Sequence, residues 1–323
     1  MGSSVEHVIV SAANRRYFLG AYLLAASLRR AGMEEPLHLL AHGFRSEETA
    51  ALEAFKAVKV HAASALDNVL NQLPLAKTAA LLNAPQAQHL TWIDSDCMVT
   101  GDISALLTSQ ARALMIRVRG PKENRLRFRN LHAKSDAIPE DVLKIWRNDV
   151  GERSQPAIDS TAVTNVITFH ADHVPFIHRW KDQIARIVEK HRGSSKQHRI
   201  AYQFSSGTGI SDELIFNSLL AYSGLAPPIG SYPLDRDPGA MLIHFGLQPK
   251  PWQRWSPQTI RHFGLITETI DWARDAGYPL PAGLPWHFDS ARERRARLQA
   301  RITPVLRLNC RTIRHFHSRS RGA

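Results

Sequence analysis

Two aspartates separated by one residue follow an apolar stretch in the first third of the chain. His89-Leu-Thr-Trp-Ile93 has the composition of a buried strand, and Asp94-Ser-Asp96 comes directly after it. Side chains at i and i+2 lie on the same side of an extended chain. Carboxylate oxygens suit Mg²⁺ or Mn²⁺, and such an ion can bridge a diphosphate. The pair therefore predicts a metal–diphosphate site; the alternative is a strand-to-turn pair that only caps the backbone.

A histidine and a lysine further along the chain offer partners for these carboxylates. His244 lies near the end of the predicted strand 241–245, beside a glycine, where its imidazole can complete a carboxylate metal site. Lys250 follows at a distance that lets its ammonium group reach a phosphate. The alternative is a structural histidine, since fifteen others are present, and a solvated loop lysine.

Asp212 and Glu213 open a predicted helix that Ser211 can cap. Acids in a first helical turn often do no more than favour the helix dipole. The functional alternative is a carboxylate that faces a reacting centre. A second Asp-x-Asp, Asp235-Arg-Asp237, is flanked by proline and glycine and is interpreted as solvated.

Other catalytic patterns are absent from the sequence. It contains no Gly-x-Gly-x-x-Gly after the first strand, no Walker A sequence, no His-Glu-x-x-His and no Gly-x-Ser-x-Gly. The two cysteines, Cys97 and Cys310, are too few for a disulfide framework or a four-thiolate zinc site, and Cys97 is interpreted as a small buried residue.

The elements that must position these residues alternate between strand and helix patterns. Strands are predicted at 7–11, 36–41, 57–61, 89–93 and 163–169, and helices at 17–30, 46–55, 75–83, 140–147, 176–190 and 211–221. This alternation predicts an α/β fold with a largely parallel, Rossmann-like sheet, whose ligands bind beyond the carboxyl ends of the strands. Residues 121–155 are basic and irregular apart from the helix at 140–147, and 192–209 are predicted to form a loop.

Positive charge is concentrated at the C-terminal end. The 323 residues carry a net charge of +12, and residues 291–323 hold ten arginines and one acid, a net +9. A proline-rich stretch at 279–285 predicts a boundary between a domain, 1–284, and a basic helical tail, 285–323. A basic amphipathic helix suits an anionic membrane surface. A nucleic-acid-binding domain more often spreads its basic charge over a folded face, so no nucleic-acid partner is expected.

The composition is that of a globular protein. It is 44% hydrophobic and 22% charged, which excludes a largely disordered chain. No apolar run approaches the roughly 18 residues of a membrane span, and no secretory leader is predicted. These features predict a cytoplasmic protein, peripheral at the inner face of the membrane.

Three blocks of the sequence resemble glycosyltransferase family 8, the retaining GT-A group that includes bacterial lipopolysaccharide galactosyl- and glucosyltransferases and glycogenin. The blocks are His89-Leu-Thr-Trp-Ile-Asp-Ser-Asp-Cys-Met-Val-Thr-Gly-Asp-Ile103, Asp212-Glu-Leu-Ile-Phe-Asn217 and Ile243-His-Phe-Gly-Leu-Gln-Pro-Lys-Pro-Trp252. Their order and spacing also fit over about residues 5–255. The resemblance implies a GT-A fold, in which a Rossmann-like mixed central sheet is flanked by helices.

The resemblance implies a role for each matching residue. Mn²⁺ or Mg²⁺ would be held by Asp94, Asp96 and His244. Contacts to a UDP-sugar would come from Ala12, Asn14, Tyr17, Lys77, Asp94, Ser95, Gly246 and Lys250. The anomeric carbon would face Asp212 and Glu213, the predicted catalytic residues. A glycan or glycolipid acceptor would meet Asp159 and Thr161.

The chain departs from the family pattern at three of these positions. Asn14 stands where the family usually has Asp, Glu213 where it has Gln, and Asp159-Ser-Thr where it has Asn-x-Gly. A carboxylate at 213 could act as a nucleophile or stabilise an oxocarbenium-like centre. The alternatives are an inverting GT-A transferase or a nucleotidyltransferase at the same site, or a degenerate transferase-like domain with a tail that binds nucleic acid or membrane.

Overall fold

A computed structural model describes residues 5–63, 73–110, 112–129, 136–191, 195–203, 210–230, 232, 241–281, 284 and 288–302, and the account below concerns these residues. The second Asp-x-Asp, Cys310 and residues 303–323 of the predicted tail lie outside them.

A seven-stranded, mainly parallel sheet forms the centre of the molecule, with the order β3-β2-β1-β4-β7-β6-β8. Its strands are β1 (Val5–Asn14), β2 (Leu37–His42), β3 (Val58–Ala62), β4 (Ala87–Ile93), β6 (Leu114–Val118), β7 (Ala162–His170) and β8 (Ile229–Gly230). Only β7 runs antiparallel to its two neighbours, β4 and β6. The mixed, Rossmann-like sheet predicted from the sequence is thus confirmed.

Helices cover both faces of this sheet. They are α1 (Phe18–Arg30), α2 (Ser46–Glu53), α3 (Leu73–Asn83), α4 (Ser104–Leu107), α5 (Pro121–Arg127), α6 (Glu140–Val150), α7 (Val174–His191), α8 (Lys196–Ala201), α9 (Asp212–Tyr222) and α10 (Phe263–Asp275). Within β1, Val8 and Val10 join the apolar cluster beneath α3, α7 and α9, whereas Ile9 joins the cluster beneath α1 and α2. This alternation follows from the two-residue period of a strand buried on both faces.

Two helices fall where the sequence predicts irregular chain. Helix α5 lies within the basic segment 121–155, and α8 lies within the predicted loop 192–209. Pro121 opens α5, a position that suits proline because a first-turn N–H needs no helical partner. Both helices are short, so neither leaves a long periodic pattern in the sequence.

A second sheet of two short strands joins distant parts of the chain. Strand β5 (Cys97–Val99) pairs antiparallel with β9 (Leu242–His244), and Cys97 lies directly opposite His244. The backbone N–H of Phe245 extends the pairing by donating to the carbonyl of Asp96 at 2.9 Å. This pairing brings the third sequence block to the Asp-x-Asp turn.

The start of the predicted tail packs against the domain. Residues 293–302 are helical, and Ala296 and Ala300 are buried with Phe288 in a cluster around Trp255. The Gln299 amide oxygen also accepts a hydrogen bond from the Trp255 backbone N–H at 3.2 Å. The start of the predicted tail thus packs on the domain through a few buried residues, and the boundary between residues 284 and 285 stays a prediction. Among the described helices, none combines the length and apolarity that crossing a membrane requires.

Candidate functional site

A cavity of about 270 Å³ opens where β1 and β4 end. Eight residues singled out in the sequence line it: Ala12, Asn14, Tyr17, Lys77, Asp94, Ser95, Asp96 and Asp212. Ala13, Ala76 and Trp92 complete the lining. The cavity lies at the carboxyl ends of parallel strands, where open α/β sheets bind ligands.

The Asp-Ser-Asp turn is fixed by its backbone. The N–H of Asp94 donates to the carbonyl of Asn165 on β7 at 2.8 Å, and the Asp94 carbonyl accepts from the N–H of Cys97 at 2.9 Å. Helix α1 packs tightly on this turn at Gly20, where an added Cβ would lie 2.5 Å from the Ser95 carbonyl oxygen. The turn is therefore held rigidly between the central sheet and α1.

His244 converges on both aspartates of the turn. Its Nε2 lies 3.3 Å from Asp96 Oδ1 and 3.8 Å from Asp94 Oδ2. Gly246 leaves room for the ring, because an added Cβ there would lie 2.9 Å from the imidazole Cε1. Two carboxylates and an imidazole around one point form a donor set that suits a divalent cation, so the predicted ligands fit a metal.

Cys97 also belongs to this neighbourhood. One potential ligand atom from each of Asp96, Cys97 and His244 lies within 4.8 Å of the others. Burial, with the two aspartates nearby, raises the pKa of the Cys97 thiol well above its usual value. A protonated thiol is a poor ligand for a hard ion such as Mn²⁺.

Lys77 neutralises two of the acids. Its Nζ lies 3.2 Å from Asp94 Oδ1 and 3.1 Å from Asp212 Oδ2, and donates to the Thr164 carbonyl at 2.7 Å. Burial alone would lower the pKa of Lys77, but Asp212 and Asp94 outweigh it and raise that pKa. Lys77 thus stays charged and joins α3, α9 and the turn after β4.

Lys250 occupies the other side of the centre. It is buried, and its Nζ lies 2.5 Å from both Asp96 Oδ2 and the Phe245 carbonyl oxygen. Burial raises the pKa of Asp96, but His244 and Lys250 outweigh burial and lower it. For Asp94 burial dominates and raises the pKa, although Lys77 opposes it. Burial lowers the pKa of His244, but the two aspartates outweigh it and raise that pKa.

Glu213 faces two arginines and does not line the cavity. Its Oε1 lies 2.9 Å from Arg119 Nη2 and 3.3 Å from Arg127 Nε, and its Oε2 accepts from the Thr164 N–H at 3.4 Å. Burial would raise the pKa of Glu213, but the two guanidinium groups lower it to about 2. Of the two predicted catalytic carboxylates, the structure thus places Asp212 at the cavity and Glu213 in an ion-pair cluster behind it.

The predicted acceptor residues lie apart from the cavity. Thr161 is fully buried; its hydroxyl donates to Asn124 Oδ1 at 2.8 Å and accepts from Arg119 Nη1 at 3.1 Å. Asp159 is exposed and lines a different cavity, of about 550 Å³, with mostly apolar walls. Thr161 therefore orients Arg119, and its contact with an acceptor, like that of Asp159, stays a prediction.

Several residues of the site gave no clear signal in the sequence. The Trp92 indole N–H donates to Asp94 Oδ1 at 2.6 Å, and Thr164 orders Lys77 and Glu213. Arg127 falls in the basic segment 121–155, and Arg119 lies two residues before it. Their alternation with apolar residues was the one available hint, and it does not identify a carboxylate partner on α9.

Solved structures to which the chain is similar include several glycosyltransferases. The galactosyltransferase LgtC, in complex with donor and acceptor sugar analogs, is 14% identical with a TM-score of 0.48, over 76% of this chain and 88% of that chain. GlyE of Streptococcus pneumoniae is 12% identical with a TM-score of 0.47, over 86% and 66% of the two chains. Mouse xyloside xylosyltransferase 1 is 14% identical with a TM-score of 0.45, over 76% and 99%.

No protein-family model matches the sequence, and no curated protein matches it. The identities and scores of the structural neighbours are low. The function argued below therefore depends on the residues of this chain's own site.

Proposed function

We propose that the chain is a metal-dependent glycosyltransferase that moves a sugar from a UDP-sugar to a glycan or glycolipid acceptor, with retention of configuration. The observation that carries the proposal is the convergence of Asp94, Asp96 and His244 beside two buried ammonium groups. Such a centre suits a divalent cation and the diphosphate that the cation bridges. The nucleotide and the retention are inferred from the family 8 resemblance.

The donor would lie in the 270 Å³ cavity. Asp94, Asp96 and His244 would hold Mn²⁺ or Mg²⁺, which offsets the charge that develops on the leaving diphosphate. Asn14, Ala12 and Tyr17 form the wall at the end of β1, where the resemblance implies that the nucleotide base binds. Lys250, Ser95 and Gly246 are adjacent to the metal centre and would contact the diphosphate; Lys250 leaves its ion pair with Asp96 to do so.

Asp212 is our candidate for the carboxylate that faces the anomeric carbon. It lines the cavity and forms an ion pair with Lys77. Ser211 fixes its place by capping α9, with the Ser211 hydroxyl accepting from the Leu214 N–H at 3.3 Å. Glu213 would act as a positioning residue, because its carboxylate binds Arg119 and Arg127 behind the cavity.

For the acceptor side we propose a lipid-linked substrate reached at the cytoplasmic face of a membrane. The described part of the basic segment supports this, since Leu298 and Ile302 are exposed on the helix that carries Arg294, Arg295 and Arg301. Exposed apolar residues flanked by arginines suit an anionic interface. The chain ending at residue 323 should bind vesicles of anionic lipid more strongly than a chain ending at residue 302. Equal binding would place the contact within residues 1–302. If neither chain binds, the membrane proposal is overturned.

The function is tested by thermal unfolding against a nucleotide panel with and without Mn²⁺. A ligand that binds only the folded state raises the melting temperature. We expect UDP to do so only when Mn²⁺ is present. If no nucleotide raises the melting temperature, the proposal is overturned. If only a nucleoside triphosphate raises it and pyrophosphate is released, the protein is a nucleotidyltransferase.

Asp96→Asn is the variant that ties this shift to the site. It removes a charged ligand at nearly constant volume, so the Mn²⁺-dependent UDP shift should disappear. Asp182→Asn is the matched control, because Asp182 is exposed on α7, away from the cavity. If Asp96→Asn keeps the shift, the metal is held elsewhere. The anomer formed by the active protein then separates retention from inversion.

A further inference from the structure

The pairing of β5 with β9 places a thiol next to the metal centre. Cys97 and His244 are directly opposite each other, so their side chains lie on one face of the two-stranded sheet. Together with Asp96 they bring three different ligand types within 4.8 Å of one another. Cys97 is 1% exposed, so its sulfur is a buried potential ligand beside Asp96 and His244.

This trio differs in chemistry from the trio that suits Mn²⁺. Thiolate, imidazole and carboxylate are the ligands of Zn²⁺, whereas Mn²⁺ and Mg²⁺ favour oxygen ligands. The two trios differ in one residue: Asp94 in the first is replaced by Cys97 in the second. Asp94 Oδ1 already contacts the Trp92 N–H and the Lys77 ammonium group. A thiophilic ion can therefore take Cys97 without any contribution from Asp94.

We infer that the centre contains two overlapping ligand sets, and that Zn²⁺ and similar thiophilic divalent ions bind through Asp96, Cys97 and His244. The inference rests on the proposed function for the first set, Asp94, Asp96 and His244. Both sets use Asp96 and His244, so one ion excludes the other. A bond from sulfur to the ion replaces the S–H bond, and the thiol proton leaves to solvent.

Competition between the ions follows from this overlap. Zn²⁺ ranks above Mn²⁺ for sites containing nitrogen and sulfur, so a small concentration of Zn²⁺ should displace Mn²⁺. A bound Zn²⁺ would occupy Asp96 and His244, two of the three ligands proposed for Mn²⁺. Zn²⁺ should therefore suppress the Mn²⁺-dependent UDP shift, and a Zn²⁺ chelator should restore it.

Co²⁺ is the probe that tests the sulfur ligand directly, because a cobalt–thiolate bond gives an absorption band in the near ultraviolet. The titration uses the full chain carrying Cys310→Ser, so that Cys97 is the single thiol. We expect the band to appear with one Co²⁺ per chain and to be bleached by Zn²⁺. Cys97→Ser should abolish the band and weaken Zn²⁺ binding by about tenfold or more, since even loss of an outer-shell partner costs about 10–100-fold.

A second variant covers the case in which Cys97→Ser does not fold. His244→Gln keeps the thiol but removes the shared imidazole, so it should also lose the band and weaken both Zn²⁺ and Mn²⁺. A band that survives in either variant would overturn the inference. No band in a protein that keeps its Mn²⁺-dependent UDP shift would overturn the inference and leave the proposed function standing, whereas loss of both responses would count against both.

Discussion

Lys77 and Asp212 form an ion pair, Nζ to Oδ2, of 3.1 Å across the floor of the cavity. The same ammonium group lies 3.2 Å from Asp94 Oδ1, so one charge connects the predicted metal ligand with the predicted reacting-centre carboxylate. Neither acid can change its position without affecting the other. The electrostatic balance of the site is thus set by Lys77 before any ligand arrives.

Replacing Lys77 with methionine should remove the link between Asp94 and Asp212. Lys77→Met leaves Asp94 and Asp212 without their shared counter-ion, and both are about a quarter exposed or less. We expect the free energy of unfolding to fall by about 1–3 kcal/mol and the Mn²⁺-dependent UDP shift to be lost. Lys59→Met, on the exposed side of β3, is the control for loss of a lysine. A Lys77→Met protein that still binds UDP with the original affinity would show that the ion pair is purely structural.

Lys250→Met should strengthen the binding of Mn²⁺ and weaken the binding of UDP. The ammonium group occupies Asp96 Oδ2 in the absence of a ligand, so its removal frees a carboxylate oxygen. Mn²⁺ binding without nucleotide should tighten by about tenfold, equivalent to about 1.4 kcal/mol. UDP binding in the presence of Mn²⁺ should weaken, because a phosphate contact is gone. Calorimetry measures both affinities, with Lys181→Met on the exposed side of α7 as the control; unchanged Mn²⁺ affinity would mean that Lys250 does not compete with the ion.

Glu213→Gln should change how stability depends on pH. The pKa of Glu213 is lowered to about 2 in the folded chain, against its usual 4.5. Its stabilisation is therefore present above about pH 4.5 and is lost as the pH falls toward 2, a change of about 3 kcal/mol. The native protein should be more stable than Glu213→Gln at pH 6, and the gap should close by pH 2.

Urea unfolding at several pH values measures that gap. Glu268→Gln is the control, because Glu268 is 63% exposed and its pair with Arg30 is screened by solvent. A gap that stays constant with pH would contradict the ion-pair cluster. The same variant tests the chemistry: loss of several orders of magnitude in kcat would make Glu213 the nucleophile, whereas a near-normal kcat supports its positioning role.

Gly20→Ala should disturb the packing of α1 against the Asp-Ser-Asp turn. The new methyl group would lie 2.5 Å from the Ser95 carbonyl oxygen and 2.7 Å from a Trp252 ring carbon, so helix or turn must move. We expect a loss of about 1–3 kcal/mol in stability and weaker Mn²⁺-dependent UDP binding. Gly264→Ala is the matched helical control, because the nearest atom to its added Cβ is 3.9 Å away. Equal stability of the two variants would show that the packing at Gly20 tolerates a methyl group.

Sequence periodicity predicted much of the fold. The helices α1, α2, α7 and α9 and the strands β1, β2 and β4 occur within a few residues of their predicted positions, because an apolar pattern or, for α2, acids in the first turn mark each of them. The antiparallel direction of β7 was not predictable, since strand direction depends on the connection through 121–161, which shows no pattern apart from the helix at 140–147. Strand β5 was also missed, because three residues are too few for an alternation to be recognised.

The candidate site was predictable where a short segment carried functional residues beside a strand end or a glycine. Asp94, Ser95 and Asp96 are consecutive, and His244 and Lys250 lie six positions apart, whereas Lys77 came from the resemblance alone. Arg119 was missed because its partner Glu213 is 94 residues away, and nothing local marks that contact. The orientation of Glu213 depends on this long-range pair, so the sequence could not show that only Asp212 of the two acids lines the cavity.

The pairing of β5 with β9 also has a consequence for the order in which the chain folds. The contact of Lys250 with Asp96 spans 154 residues, and the strands β6, β7 and β8 of the central sheet lie between them in the sequence. Contacts between residues so far apart in the sequence form late, because the entropic cost of closing the loop must be offset by contacts that have already formed. During synthesis, a chain that has not yet reached residue 242 has the two aspartates but no β9. Metal binding should therefore begin only when the C-terminal third has been made, and metal uptake by a growing chain would report completion of the fold.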